Sequence, residues 1–364
     1  MQNLQKLWAE KRLLILSSAL SVLFLILLGQ LFFLTKSTER TTRSQKISSA
    51  SSRTVFNEAT ESAENRTLGA EEQASGGKSV VNNQTSKQTK KISFGVVPQD
   101  YNNSNEIFSL EASLGTKIST VSIYKPFGGS SKNLEVAALN YVKTHGSKLM
   151  ITWEPWDLGA TNTDYLAQIN TGAQDTYIKS FAASIKQYGG PVVLRFAHEM
   201  NGDWYPWGDR ATEFISAYRR VHDLFVSQSV GNVTWVWGIN ETYEPSTLSP
   251  FYPGNDVVDT IGISGFNFGT TQNFGGWKSF TTIFNPTYQF LVNNYNKPIT
   301  VSEIASTEYG GDKAGWVTNM FTSELPSKFP KITEIVWFNL LKETDWRINS
   351  TPSSLQAFQN YFKQ

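Results

Sequence analysis

The chain has 364 residues, enough for one large domain or two small ones. Its 32 basic and 31 acidic residues give a net charge of +1, so charge gives no reason to expect a nucleic-acid partner. There is no cysteine, which excludes disulfides, thiol catalysis and cysteine-ligated metal sites. Aromatic residues make up 13% of the chain, a fraction that fits either a large aromatic core or a groove that stacks on flat ligands.

The first 34 residues have the pattern of a membrane anchor. The stretch from Leu13 to Leu34 carries no charge, and as a helix its 22 residues would span roughly 33 Å, about the hydrocarbon thickness of a bilayer. Lys6, Lys11 and Arg12 precede it, and no A-x-A-like cleavage site follows it. We therefore predict a short cytoplasmic segment and an uncleaved single-pass signal anchor in residues 1–34, with a cleaved signal peptide as the alternative.

Residues 35–90 have the composition of a flexible linker. Ser, Thr, Asn, Gln, Lys and Glu dominate, and few large apolar side chains are available to offset the entropy that the backbone loses on ordering. We predict that this linker joins the anchor to one folded domain, residues 91–364, on the outer side of the cell membrane.

From residue 91 the pattern becomes one of alternating strands and helices. Short β-rich runs recur, and most are separated by segments with a helical pattern, such as 175–188 and 212–227. Strands that alternate with helices favour a parallel sheet, and eight such units in about 270 residues predict an α/β fold closed into a (β/α)8 TIM barrel. The predicted strands are Ile92–Val97, Thr120–Ile123, Lys148–Thr152, Val192–Phe196, Val233–Trp237, Thr260–Gly265, Ile299–Ser302 and Glu334–Phe338.

The most informative segment follows the fourth predicted strand. From Arg195 to Gly208 it reads RFAHEMNGDWYPWG, with Glu199 at the tip of the strand, where reactive residues of such barrels lie. A zinc-protease interpretation of the His198–Glu199 pair requires a second histidine four residues after the first, and that position is Gly202. The remaining alternatives are a catalytic carboxylate and a structural one that is buried and paired with Arg195.

A second carboxylate ends the seventh predicted strand. Glu303 follows Glu199 by 104 positions, the length of three strand–helix units, so the two side chains should face each other across one cleft. Glycoside hydrolysis needs such a pair, because one carboxyl group protonates the leaving oxygen while the other attacks the anomeric carbon. Their surroundings must then hold the two pKa values apart.

Four segments between residues 91 and 364 resemble glycoside hydrolase family 26. They are HEMNGDWYPWG, the WEPW after the third strand, the SEIAS that holds Glu303, and the WFNLLKETDWRI at the end of the eighth strand. The resemblance implies a retaining endo-β-mannanase or mixed-linkage β-glucanase, with Glu199 as the acid/base and Glu303 as the nucleophile. It implies that His198 orients the sugar at the −1 position. Sugar contacts are implied for three tryptophans, namely Trp204, Trp207 and Trp337.

Four further residues belong to the substrate-binding cleft that we predict. Trp153, Glu154 and Asn201 accompany the family-like segments, although an arginine partner elsewhere in the structure is an equal alternative for Glu154. Phe266 occupies the place where many members of the family carry a tyrosine that hydrogen-bonds the nucleophile. Because phenylalanine has no hydroxyl group, this resemblance predicts either a different orientation of the nucleophile or a low activity.

Two classes of function remain open. The first is a retaining endo-β-glycanase whose partner is a β-linked polysaccharide, namely β-mannan, mixed-linkage β-1,3-1,4-glucan or an exopolysaccharide that the cell itself makes. The second is a weakly active or inactive polysaccharide-binding protein of exopolysaccharide biosynthesis, tethered to the membrane. Both carboxylates are present, which favours the enzyme. We expect a monomer without cofactor, metal or nucleic-acid partner.

Overall fold

The computed structural model describes residues 92–158 and 162–363. The predicted anchor and linker therefore lie outside the described residues, and neither prediction is tested. Within the described ranges, no helix combines the length and the apolar character that crossing a membrane requires.

The described residues form a closed barrel of eight parallel strands in chain order, which confirms the predicted (β/α)8 fold. The pairing of β1 with β8 closes the sheet and leaves no exposed strand edge in the barrel so described. The strands are β1 Ser93–Val97, β2 Thr120–Pro126, β3 Lys148–Glu154, β4 Val192–Phe196, β5 Val233–Asn240, β6 Thr260–Asn267, β7 Ile299–Ser306 and β8 Ile332–Phe338. Each of them overlaps one predicted strand, and most begin or end a few residues beyond it.

A ring of helices covers the barrel. The helices are α1 Ser104–Leu114, α2 Val136–Thr144, α3 Tyr165–Thr171, α4 Asp175–Tyr188, α5 Ala211–Ser227, α6 Phe280–Asn294, α7 Lys313–Asn319, α8 Leu325–Lys328 and α9 Pro352–Phe362, with a 3₁₀ helix at Pro245–Phe251 and a π-helical turn at Met320–Glu324. Their ends follow the sequence: Asn103 caps the start of α1 by accepting the backbone N–H of Asn105, and Gly115 ends that helix with φ +70°.

The apolar core lies between the sheet and the helices, whereas much of the barrel interior is polar. At the amino-terminal end of the barrel the buried Glu334 accepts hydrogen bonds from Thr120 Oγ1 at 2.5 Å and from Lys148 Nζ at 2.6 Å. A buried carboxylate is tolerated only when it is paired in this way. These contacts tie β8 to β2 and β3 across the closure of the barrel.

Strand β7 contains one residue more than its neighbour β6 can pair. Val301 pairs with Ile263, but the next pair joins Glu303 to Ser264 and passes over Ser302. Such a bulge re-aims the side chains that follow it. The Ser302 side chain faces Gly262, since a Cβ atom added to that glycine would lie 2.7 Å from Ser302 Oγ. The Glu303 carboxylate binds Arg195 of β4. Consecutive residues of β7 therefore both face the barrel interior.

Candidate active site

The turn after β4 holds Glu199 in a conformation that most residues avoid. Ala197 has φ +46° and Glu199 has φ +54°, in the left-handed region, where a residue other than glycine costs on the order of 1–3 kcal/mol. Tertiary hydrogen bonds hold the turn. Glu199 donates its backbone N–H to the oxygen of Gly238 at 2.7 Å, and Trp207 Nε1 donates to the backbone oxygen of His198 at 2.7 Å. Strained backbone that the surrounding structure holds in place is common at active sites, so the conformation at the tip of β4 supports a functional role for Glu199.

Arg195 is the partner of Glu303. It is fully buried, and its Nη2 donates to Glu303 Oε2 at 2.5 Å and to Ser264 Oγ at 3.2 Å. A Cβ atom at Gly238 would lie 2.7 Å from Arg195 Cγ, so the glycine leaves the space that the arginine occupies. The structural alternative of a Glu199–Arg195 pair is therefore wrong, because the arginine binds the other carboxylate.

Glu199 and Glu303 face each other as predicted. One polar atom from each of these carboxylates and one from His198 lie within 4.8 Å of one another. Burial raises the pKa of Glu199 to about 7, and the negative charge of Glu303 adds to the rise. Arg195 and the indole N–H of Trp204, which donates to Glu199 Oε2 at 2.9 Å, act in the opposite direction. The site therefore joins an ion-paired carboxylate to one that holds its proton up to near-neutral pH.

Two more titratable groups of the site favour their neutral forms. Burial raises the pKa of Glu154 to about 8, opposed by the N–H of Trp156, which donates to its carboxylate at 3.3 Å. Burial, together with the charge of Arg195, holds the pKa of His198 well below its usual range, and its Nδ1 has no protein partner among the described residues. A neutral Glu154 and a neutral imidazole can each donate or accept a hydrogen bond without adding charge beside Glu303.

The cluster of His198, Glu199 and Glu303 has the spacing of metal ligands, but its surroundings do not suit a cation. Arg195 places a buried positive charge on one oxygen of Glu303, and Trp204 already occupies one oxygen of Glu199. A metal ion would have to share the cavity with the guanidinium group and would be repelled by it. We therefore assign no metal to this site.

Aromatic side chains form the walls of the cleft. Phe266 of β6 is half-buried and contacts Phe338 and Trp346, with ring centroids 5.5 and 5.3 Å apart. Tyr124 of β2 lies beside the His198 ring, and burial and the charge of Glu303 raise its pKa. Tyr205 lies 4.8 Å from the His198 ring, and burial followed by the charge of Glu199 raises its pKa.

Sequence reasoning did not assign Arg195 to Glu303, did not include Tyr124 and Tyr205 in the cleft, and did not place the buried Phe338 and Trp346 behind Phe266. For Tyr124 and Phe338 a signal was available in the alternation of side chains along a strand, which places every second residue of β2 and β8 on the interior. Tyr205 and Trp346 lie in loops, where this alternation does not apply.

Three of the predicted sugar-binding tryptophans are buried completely, and these predictions are corrected. Trp153 points outward from β3 and stacks on Phe181 of α4 at 4.2 Å. Trp337 also points outward, over the Phe358 ring of α9, because its neighbour Phe338 takes the inward position. Trp207 lies beneath Tyr205 at 4.4 Å. A ring with no exposed surface cannot stack on a sugar.

Asn201 is also corrected. Its side-chain oxygen accepts the backbone N–H of Asn240 at 2.9 Å, and its amide nitrogen donates to the backbone oxygen of the same residue at 3.0 Å. The side chain therefore joins the turn after β4 to the end of β5 and is not directed at a ligand. Trp204, by contrast, keeps 37% of its surface exposed while its N–H binds Glu199.

Comparison with known proteins agrees with this site. The family model for glycosyl hydrolase family 26 matches residues 142–319, a range that includes both Glu199 and Glu303. The chain belongs to glycoside hydrolase family 26. It is 40% identical over 228 residues to Endoglucanase H of Acetivibrio thermocellus, an alignment that covers 60% of this chain and 24% of that protein. It is 24% identical over 165 residues to a mannan endo-1,4-beta-mannosidase of Bacillus subtilis strain 168, covering 43% and 41% of the two chains.

Solved structures of the family share the fold. The catalytic domain of an endo-beta-1,4-mannanase from Bacillus sp. JAMB-750 matches with a TM-score of 0.59 at 16% identity, over 76% of this family 26 chain and 86% of that domain. A beta-mannanase from Bacteroides ovatus matches with a TM-score of 0.56 at 18% identity, over 75% and 88%. The chain thus spans less than half the length of the two curated relatives above but most of these two structures.

Proposed function

We propose that this protein is a retaining endo-β-glycanase that hydrolyses a β-linked polysaccharide. The observation that carries the proposal is the pair of buried carboxylates with oxygen atoms within 4.8 Å of each other, one bound to Arg195 and the other with its pKa raised to about 7. The two curated relatives described above are named as an endoglucanase and a mannan endo-1,4-beta-mannosidase, and we propose as substrate a β-mannan, a mixed-linkage β-1,3-1,4-glucan or an exopolysaccharide of the producing cell.

In the first step of the proposed reaction Glu303 attacks the anomeric carbon while Glu199 gives its proton to the departing glycosidic oxygen. The bond from the anomeric carbon to that oxygen breaks, and a bond from the same carbon to a Glu303 oxygen forms. Arg195 holds the attacking carboxylate in position through the 2.5 Å contact. Because Glu199 retains its proton up to about pH 7, it is available as an acid at near-neutral pH.

In the second step a water molecule takes the place of the leaving sugar. Glu199, now ionised, removes a proton from this water, and the resulting oxygen attacks the anomeric carbon and displaces Glu303. The hydrogen bond from Trp204 Nε1 stabilises the ionised form of Glu199 at this stage. Both carboxylates return to their initial states.

The stereochemical course tests the proposal. One oxygen of Glu199 and one of Glu303 lie within 4.8 Å of each other, which favours the carboxyl separation of retaining enzymes, roughly 5–5.5 Å, over the roughly 6.5–9.5 Å of inverting ones. We expect net retention, so proton NMR of the first product from a confirmed β-glycan should show the β-anomer before mutarotation. An α-anomer as the initial product would exclude double displacement, and no release of sugar from any β-glycan in a panel would favour the binding-protein alternative.

The pH dependence of the enzyme should respond to Trp204. The N–H of Trp204 lowers the pKa of Glu199, so Trp204→Phe should raise that pKa and move the basic limb of kcat/KM, expected near pH 7 in the wild type, to higher pH. Trp316→Phe is the matched control, because Trp316 of α7 donates its Nε1–H to the backbone oxygen of Lys278 and not to a carboxylate of the site. Equal shifts in both variants, or a shift of Trp204→Phe to lower pH, would contradict the assignment of Glu199 as the acid.

We also propose that residues 1–34 anchor the enzyme in the cell membrane as a single span, with the barrel outside the cell. The support is the uncharged 22-residue stretch followed by a polar linker. Protease added to intact cells should then release a fragment of about the size of residues 91–364. Release only after cell lysis would mean the opposite orientation.

A further inference from the structure

The loops that follow β6 and β7 expose two aromatic rings. Phe274 is 59% exposed and Tyr309 is 61% exposed, higher fractions than for Trp204 at 37%. Single exposed apolar residues are common on protein surfaces and need no explanation. These two differ because they lie on loops joined to each other and to the cleft.

The two loops are held together through their backbones. Thr270 of the first loop donates its backbone N–H to the oxygen of Tyr309 in the second at 3.2 Å, and within the first loop Gly276 donates to the oxygen of Gly269 at 2.6 Å. Gly269 has φ +51°, and a Cβ atom there would lie 1.8 Å from the Tyr309 oxygen, so only glycine permits this approach. The rings are thus presented by a fixed support, which reduces the entropy that binding would cost.

A continuous row of rings leads from the cleft to this support. Phe266, which lines the cleft, contacts Phe268 at 5.7 Å, and Phe268 contacts the exposed Phe274 at 5.4 Å. Ser264, two residues before Phe266, pairs with Glu303. The Phe274 ring therefore continues the cleft on the side of Glu303, and the loop that carries Tyr309 is bonded to the same segment through Thr270, whereas Trp204 is bonded to Glu199.

We propose that Phe274 and Tyr309 form a second sugar-binding platform, which holds a further unit of the β-linked polysaccharide chain beyond the residues that react. Pyranose rings present flat apolar faces, and exposed aromatic rings bind such faces while polar groups stay in water. The proposal rests on the proposed function, which supplies the polymer. With Trp204 on the Glu199 side, the chain would be bound on both sides of the point of cleavage, as an enzyme that cuts within chains requires.

The test uses the variants Phe274→Ala and Tyr309→Ala and the variant that carries both changes. Phe108→Ala serves as the control. Phe108 is a matched control, since it is 41% exposed but lies on α1 in the outer ring of helices. In native gels that contain a β-glycan which the wild type cleaves, we expect both platform variants to be retarded less than the wild type. Each lost ring should lower polymer affinity roughly 2- to 12-fold. The ratio of kcat/KM on polymer to kcat/KM on a short aryl β-glycoside should fall by a similar factor.

Tyr309→Phe separates stacking from hydrogen bonding, because it keeps the ring and should retain polymer affinity. The platform is refuted if the double variant binds and cleaves polymer as the Phe108→Ala control does. It is also refuted if kcat/KM falls by the same factor on polymer and on the aryl glycoside. Failure of the proposed function has a different signature. If the wild type cleaves no β-glycan but is retarded by one, and the double variant loses that retardation, the platform stands while the hydrolase assignment falls.

Discussion

Replacement of Glu303 by Gln is expected to lower kcat by several orders of magnitude, and Glu199→Gln by roughly 10²–10⁴-fold on substrates with poor leaving groups. Glutamine is nearly isosteric with glutamate, so the fold should persist. An amide at position 303 cannot form the covalent intermediate, and an amide at position 199 cannot deliver a proton. Initial rates on a confirmed β-glycan, together with circular dichroism to verify folding, measure these effects.

Azide distinguishes the two carboxylates because it attacks the sugar at a different step in each alanine variant and therefore gives products of opposite anomeric configuration. In Glu303→Ala, azide attacks in place of the nucleophile and should give an α-glycosyl azide. In Glu199→Ala, the glycosyl-enzyme still forms from an activated substrate, and azide should then give a β-glycosyl azide. Near-normal turnover by Glu303→Gln, or the same azide anomer from both variants, would overturn the assignment of roles.

Replacement of Arg195 by Met should have the largest effect on stability. It leaves Glu303 buried without its partner, a change that typically costs about 3–5 kcal/mol. The free energy of unfolding at neutral pH, measured by urea denaturation, should fall by an amount of this order. Activity should fall as well, because the 2.5 Å contact that positions the carboxylate is lost.

A double-mutant cycle separates the ion pair from simple packing. Arg195→Met combined with Glu303→Gln removes both charges, so the double variant should be more stable than the sum of the single effects predicts. Arg195→Lys, which keeps the charge but not the planar geometry, should lie between the wild type and Arg195→Met. Additive losses in the cycle would show that the two side chains do not stabilise each other.

The fold was predictable from the sequence because strand and helix periods differ. The eight apolar runs and the helical patterns between them were sufficient to predict the barrel and its closure. Strand ends were less accurate: β5 continues to Asn240, and β7 continues through Glu303 to Ser306. These ends are set by pairing with β6, which joins Asn240 to Ser264 on one side and Glu303 to Ser264 on the other, and a local sequence pattern does not record such pairing.

The site was predictable only in part. Glu199 and Glu303 were found because carboxylates at the tips of strands are informative by position. Trp153 and Trp337 were assigned from family-like segments, and such a resemblance does not record which side of the strand a residue faces. Trp337 points outward, whereas its neighbour Phe338 faces the interior. Trp207 and Asn201 were assigned to the cleft wrongly, because their actual partners, Tyr205 and Asn240, depend on how a loop folds back. The partner of Arg195 comes from a strand more than a hundred residues away.

The additional residue in β7 makes the strand unequally tolerant of changes in its length. If Ser302 were deleted, regular pairing would still place Glu303 opposite Ser264 and keep the nucleophile directed inward, although the bulge and the hydrogen bond from Arg195 Nη1 to the Ser302 oxygen would be lost. An insertion before Glu303 cannot be accommodated by removal of the bulge. It would turn the carboxylate toward the helices unless the strand formed a second bulge. In libraries or in natural descendants of this gene, we therefore expect the loss of one codon between Ile299 and Glu303 to be retained more often than the gain of one.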